Sequence, residues 1–346
     1  EMCIRDRFPD YRYVNFENIA TRAQASRDPE GFLAALGDHA VIDEVQHVPE
    51  IMSEIQVRVD DDRKRRYILT GSSNFSLLNH VSQSLAGRTA LFTLFPFDFT
   101  EMPEEMRSSA TDTLMFRGFY PSVLFDGIDA DMFYVNYYNT YVERDLRDLL
   151  KVSNLAKFDM FVRMLALRVG SGFNASAMSR EVGVSATTIT EWLSLLATSY
   201  IIFELPPYYS NLGKSLTKNK KIYFSDTGLL CSLLSIENPD MLSRHPLRGQ
   251  IFENMAVSAM VKQQANAGRR VNLYFYRENR GIEVDVVQPA GDGSLRLYEI
   301  KGGRTLRPDY SDNMKKLSES LTVATSSTVV YDGESYPPAS LNVRDL

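Results

Sequence analysis

Cysteine, charge excess and unbroken apolar runs are all scarce in this chain, and each scarcity removes a class of protein. Among 346 residues there are two cysteines, Cys3 and Cys231, too few for a disulfide scaffold or a cysteine-ligated zinc site. No apolar run approaches the ~18 residues that a membrane helix needs, so no membrane partner is expected and a cytoplasmic location is. The balance of 38 Lys+Arg against 44 Asp+Glu leaves a net charge of −6. Composition alone therefore does not make a polyanion binder, and contact with nucleic acid would need a local basic patch. Also missing is a phosphate-cradling loop of the form Gly-x-x-x-x-Gly-Lys-[Ser/Thr]. Gly213-Lys214-Ser215 ends like one, but its first glycine would fall at Tyr208, after Leu205-Pro206-Pro207, which is no core strand. What remains is an apolar share of 44% and a charged share of 24%, ordinary for a globular chain long enough for two or three domains.

The absent loop matters because its usual companion is present. Residues 40–46 read Ala-Val-Ile-Asp-Glu-Val-Gln, an apolar strand ending in two carboxylates, which is the form of a Walker B site. There Asp43 would fix Mg²⁺ and Glu44 would polarise the attacking water. Only Gly31 and Gly37 lie between residue 8 and Asp43, and neither is followed by lysine. The expectation is an ATPase core whose first βα unit has been cut away. Residues 1–7 have no apolar period or capping signal, resemble a sequencing-adapter translation, and are set aside as non-native.

Periodicity predicts strands over 11–16, 39–44, 66–71 and 89–95, alternating with helices over 28–36, 49–59 and 75–86. Such alternation implies a parallel sheet with right-handed crossovers, with functional residues at the carboxyl ends of the strands. Asp43 and Glu44 fall at one tip. Thr70 and Ser72, in Thr-Gly-Ser-Ser-Asn, fall at the next, where either could hydrogen-bond a γ-phosphate or simply end a strand in a turn. Arg88, after the following helix, is a candidate for stabilising transition-state charge in a neighbouring subunit of a homo-oligomer. An exposed arginine at a helix end is the plainer alternative.

The middle of the chain reads as helical. Phe133, Tyr134, Tyr137, Tyr138 and Tyr141 form a stripe that fits a packed helix face better than a base-stacking platform. Residues 176–197 read helix, glycine turn, capped second helix with Trp192, Leu195 and Leu196 inward, the spacing of a helix-turn-helix. Strands at 200–205 and 221–224 would form a hairpin around a loop carrying Lys214, Lys218, Lys220 and Lys221. Helix-turn-helix plus basic hairpin is a winged helix, with those lysines as candidate contacts to nucleic-acid phosphates. The second helix begins Ser-Ala-Thr-Thr-Ile-Thr-Glu and carries no cation near its start, which favours backbone contact or domain packing over base readout.

The last third reads helix (249–263), three strands (273–277, 283–288, 295–301), helix (308–318) and strand (327–331). Asp285 and the Glu299-Ile300-Lys301 triplet lie on adjacent strands, and the outer two side chains of the triplet share one face. Asp285 and Glu299 could share Mg²⁺ while Lys301 steadies a water or phosphate, and Glu253 from the helix would complete the cluster. This arrangement resembles the PD-(D/E)xK nuclease fold. An inherited fold with inert, ion-paired carboxylates is the competing reading.

Taken in order, Val-Ile-Asp-Glu-Val-Gln-His-Val-Pro-Glu (41–50), Ile-Leu-Thr-Gly-Ser-Ser-Asn (68–74) and Ser-Leu-Ala-Gly-Arg (84–88) resemble a bacterial and archaeal AAA+-like ATPase family. So do Tyr-Val-Glu-Arg-Asp-Leu (141–146), Tyr-Phe-Ser-Asp-Thr-Gly-Leu (223–229), Leu-Arg-Gly-Gln-Ile-Phe-Glu-Asn (247–254), Glu-Val-Asp (283–285) and Glu-Ile-Lys (299–301). That family carries a C-terminal domain of unknown function. The resemblance implies ATP and Mg²⁺ as cofactors. The expected α/β multidomain chain has a parallel-sheet, P-loop NTPase-like core (8–100), a helical linker (101–150), a winged helix (151–225) and a restriction-endonuclease-like α/β domain (226–346). The expected function is ATP binding and hydrolysis coupled to action on nucleic acid, with this chain defective in ATP binding for want of the loop. A metal-dependent nuclease, a DNA-binding module and an inert interaction protein are the alternatives.

Overall fold

The computed structural model describes residues 7–71, 85, 87–140, 154–209, 219–278 and 281–346. The expected helix at 75–86, Ser72, Tyr141, Lys214 and Lys218 lie outside the described residues. The chain forms two compact units, residues 1–91 and 92–346.

The first unit is built on three parallel strands in the order β1 (Arg12–Asn15), β2 (His39–Asp43), β3 (Arg66–Leu69). The central β2 buries Ala40, Val41, Ile42 and Asp43, as a strand covered on both faces must. Two helices join β1 to β2: α1 (Ile19–Arg27) and α2 (Pro29–Leu36). Helix α2 starts with proline behind the Asp28 cap and ends at Gly37, whose φ of 93° suits glycine. Helix α1 was not legible in the sequence. It buries only Ala25 and is set by the Asn18 side chain, which caps the amides of Ala20 and Thr21, so it has no apolar period to read. Helix α3 (Glu50–Asp61) places Ile51, Met52 and Ile55 against Phe16, Leu33 and Ile42. Each such burial contributes roughly 1.5–3 kcal/mol.

One expected strand is absent. Residues 89–95 are irregular, with Leu91, Phe92 and Leu94 exposed. Their β-favouring composition finds no ladder partner among the described strands, and propensity without a partner does not make a strand.

The second unit opens with helices α4 (Thr111–Arg117), α5 (Ala130–Tyr137) and α6 (Leu155–Ala166). Tyr134 and Tyr138 are buried, and Phe133 stacks on Tyr137 at 6.0 Å, so the described part of the aromatic stripe is packing. Next come α7 (Ala175–Val182), a turn at Gly183 with φ 72°, and α8 (Ala186–Thr198), capped by Ser185. Trp192 on α8 meets Phe158 of α6 edge-on at 5.3 Å. An antiparallel ribbon follows, β4 (Ile202–Leu205) with β5 (Lys221–Phe224), leading into α9 (Thr227–Leu233).

The remainder is the long helix α10 (Arg248–Asn266) and a five-stranded mixed sheet. Its strands are β6 (Tyr274–Arg277), β7 (Glu283–Pro289), β8 (Leu295–Lys301), β9 (Thr325–Tyr331) and β10 (Ser340–Asn342), with helix α11 (Asp312–Ser320) between β8 and β9. Strands β6 to β8 pair antiparallel, and β8, β9 and β10 pair parallel. One continuous core runs from Phe99 through the middle helices to Val343, and the boundary expected at 225 passes through it.

Candidate functional sites

In the first unit the chemistry gathers at the carboxyl ends of β1, β2 and β3. Asp43 is fully buried at the tip of β2. Its carboxylate accepts from the Tyr13 hydroxyl at 2.6 Å, the Asn15 amide at 3.2 Å and the backbone amide of Glu44 at 3.1 Å. It also accepts from the Thr70 hydroxyl, at the tip of β3. Neutral donors alone thus hold this carboxylate among the described residues. Glu44 follows with φ 54° and ψ 43°, a left-handed conformation that costs a non-glycine residue about 1–2 kcal/mol. Its carboxylate accepts from the Gln46 amide. Glu17, Glu44 and His47 each offer a ligand atom within 4.8 Å of one another, and His47 Nε2 lies 3.2 Å from Glu17 Oε1. Arg88 does not stand alone: its guanidinium donates to both oxygens of Asp60, at 2.6 and 2.9 Å. These residues supply carboxylates and a hydroxyl but no phosphate cradle, so the described chain does not by itself fit a bound nucleotide.

The second site is assembled by helix α10. Asn254 accepts from the Phe224 amide at 2.7 Å and donates to the Phe224 carbonyl at 2.8 Å, closing a ring with the backbone of β5. One turn on, Ser258 donates to the Ser225 carbonyl at 2.9 Å. These i, i+4 contacts fasten helix to strand and set Glu253 beside the face of β5 that carries Lys221 and Tyr223, two residues apart. Tyr223 donates to Glu253 at 2.5 Å. Arg248 at the start of the same helix donates to the Gly302 carbonyl at 2.6 Å and pairs with Asp112 at 2.6 Å, tying α10 to the end of β8.

Sequence reasoning placed Glu253, Asp285, Glu299 and Lys301 in one cluster, and the structure brings them together. Asp285 Oδ2 accepts from the Ile300 amide at 2.8 Å across the β7–β8 ladder. Lys301 Nζ donates to Glu299 Oε1 at 2.6 Å, while Glu299 Oε2 is buried without a hydrogen-bond partner among the described residues. Lys221 is a correction. Expected at a nucleic-acid phosphate, it is 2% exposed, with its ammonium 2.9 Å from Glu283, 3.3 Å from Glu253 and 3.9 Å from Asp285. Lys220, on the opposite face, is exposed and paired with Glu204 across the ribbon. Sequence reading missed three members: Lys221 in this role, Tyr223, and Glu283. The last was within reach, since Glu283 and Asp285 stand two apart on β7 and share a face.

Electrostatics follow from burial. Burial, then the Glu253 and Glu299 carboxylates, push Asp285 up to about 8. Burial also raises Glu299, with Lys301 opposing. Burial by itself would lower the Lys221 ammonium, but Glu253, Asp285 and Glu283 outweigh it and raise it. With Arg277 on the outer side of Glu283, four carboxylates face three cations. A buried excess of one negative charge must be met by a proton or by a further cation.

Residues 1–103 match the AAA domain family, 108–240 a domain of unknown function (DUF8612), and 248–343 another domain of unknown function (DUF4143). Uncharacterized proteins of Mycobacterium tuberculosis and Mycobacterium bovis are each 30% identical over 317 residues, covering 90% of this chain and 69% of theirs. An uncharacterized protein of Haemophilus influenzae is 23% identical over 243 residues, covering 63% of this chain and 59% of its own. The chain therefore belongs with the mycobacterial proteins to an AAA-like ATPase family, with an AAA domain at its N-terminal end and DUF4143 at its C-terminal end.

Proposed function

We propose that this protein is an AAA-type ATPase whose C-terminal domain carries a divalent-ion site of the PD-(D/E)xK kind and acts on nucleic acid. The observation that carries the second half is Glu299 Oε2, a buried carboxylate oxygen with no hydrogen-bond partner among the described residues, in a cluster where four carboxylates face three cations. Asp285 and Glu299 would hold the ion, which would supply charge stabilisation to a phosphodiester. Lys301 is placed to steady an anionic oxygen, and Glu253 is held for a supporting role by Tyr223. For the first half, Asp43, Glu44 and Thr70 are the residues that would face Mg²⁺ and the terminal phosphate.

The experiment is thermal unfolding of residues 1–346 with and without Mn²⁺, beside a plasmid and single-stranded DNA cleavage assay. Binding to the folded state should raise the midpoint by mass action, and Asp285→Ala should abolish the rise. Lys301→Ala should retain the rise and stop cleavage. No rise and no cleavage would leave the cluster structural.

A second reading has its own observation. Helices α7 and α8 with the ribbon have the order of a winged helix, yet the ribbon's Lys221 points into the protein, and the outer face of α8 presents Thr187, Thr190, Glu191 and Ser194 with no cation. That favours a winged helix used for packing within the protein, with phosphate contact limited to Lys214 and Lys218.

A further inference from the structure

We propose that Lys221 is the specificity-determining residue of the carboxylate cluster: its ammonium and a divalent ion are alternative occupants, so the β4–β5 ribbon decides whether the site takes metal. The inference rests on the divalent-ion reading given above.

Lys221 opens a four-residue strand beside a lysine-rich loop, where solvent exposure would be the ordinary outcome. Its burial is retained because Glu253, Glu283 and Asp285 surround the ammonium. An unpaired charge at this depth would be prohibitively costly. The strand cannot slide to relieve crowding. Asn254 and Ser258 clamp its far end, and its near end is held by the Phe173 amide on the Lys220 carbonyl at 2.8 Å and the Gly170 amide on the Ile222 carbonyl at 2.9 Å.

The ammonium does not satisfy the whole cluster. It reaches the β7 side, where Glu283 and Asp285 lie, and leaves Glu299 Oε2 on β8 without a hydrogen-bond partner among the described residues. An ion held by Asp285 would therefore sit close to Lys221, whose ammonium lies 3.9 Å from the Asp285 carboxylate. Like charges at that range repel strongly in a buried setting. The charge count agrees. With Lys221 in place the deficit is one positive charge, and with Lys221 withdrawn it is two, which one divalent ion would meet. The residue comes from the segment matching one family, residues 108–240, and the carboxylates from the segment matching another, residues 248–343. The site is thus composite, with its cation and its carboxylates supplied by two separately matched segments.

Isothermal titration of MnCl₂ into residues 1–346 tests this. Lys221→Met should bind Mn²⁺ at least about tenfold more tightly than the unaltered chain, a range seen when residues supporting a metal site change. Adding Glu299→Gln should remove the gain. Should Lys221→Met not fold free of metal, the double change Lys221→Gln with Glu283→Gln preserves the charge balance, and the same tightening is expected. Equal affinity in the unaltered and altered chains overturns this inference and leaves the metal reading standing. Binding by none of the folded proteins overturns both.

Discussion

Asp43 and Asp285 are both buried at or near strand ends among hydrogen-bond donors, yet the two sites solve the problem of a buried carboxylate in opposite ways. Asp43 is surrounded by a phenol, an amide, a hydroxyl and a backbone N–H, all neutral. Asp285 is one of four carboxylates that face two ammonium groups and one guanidinium. Neutral donors fix a carboxylate's position and leave its charge available to a ligand. Cations consume that charge, so whatever binds must displace or supplement them. The first site is therefore poised by geometry and the second by charge balance, and substitutions should separate them.

The largest effect should come from Lys221→Met in metal-free protein. Buried Asp285 and half-buried Glu253 and Glu283 lose their common partner, and removing one side of a buried ion cluster costs about 3–5 kcal/mol. Chemical denaturation in the presence of a chelator would measure it. A loss under 1 kcal/mol would mean that the carboxylates are protonated or solvated instead.

Asp43→Ala comes next. It strands the donors of half-buried Tyr13, Asn15 and Thr70, which water can partly satisfy, for a total of about 1–3 kcal/mol, while Asp43→Asn keeps an acceptor and should cost far less. At the second site the order reverses. Glu299→Gln removes a carboxylate held above its ordinary range and should leave metal-free stability unchanged or improved, while abolishing any Mn²⁺-induced stabilisation. If Asp43→Asn and Asp43→Ala cost the same, the contrast between the sites collapses.

A third prediction concerns Lys262 on α10. Its ammonium is buried, bonded to the Phe97 carbonyl at 3.2 Å and lying 4.8 Å above the Phe119 ring. Burial pulls it down to about 8, against the opposing pull of Asp226, Asp98 and Glu101. Between about 8 and the ordinary lysine range the unfolded chain binds the extra proton, so stability should rise with pH across that window. Lys262→Met should flatten the rise and stabilise the protein at pH 7 by on the order of 1–3 kcal/mol. Unfolding midpoints at pH 7, 8.5 and 10 would show it.

The smallest effect belongs to Arg88→Ala. The Arg88–Asp60 pair is solvent-exposed, and such pairs add little to stability. Thermal unfolding of residues 1–346 should be unchanged. Any role for Arg88 in charge stabilisation would appear only in nucleotide turnover.

Much of this architecture was legible because periodicity is local. Strand β8 matches the residues read from sequence, and β2 and α10 differ from them only at their ends. The Glu253, Asp285, Glu299 and Lys301 cluster was legible because strand alternation and strand order place those residues without any knowledge of packing. Lys221 was misread for the converse reason. In sequence it belongs to a basic loop, and its burial is decided by Glu253, 32 residues away, and by Glu283 and Asp285 further on. Helix α1 was missed because it buries almost nothing, and residues 89–95 were over-read because their composition favours a strand that has no partner. Asn254 gave no signal at all, since a polar residue on an amphipathic helix looks alike whether it meets water or the backbone of a strand.

Glu44 has a consequence for engineering. It holds a left-handed backbone that glycine adopts freely, so Glu44→Gly would trade a carboxylate for conformational ease. Most changes that silence an active site weaken the protein or leave it as it was. Were Glu44 to activate water as proposed, this change would remove that role while making the first unit sturdier, provided that the lost contacts of its carboxylate, that with Gln46 among them, are worth less than the strain relieved. A protein of that kind would be suited to trapping whatever the working form binds and releases.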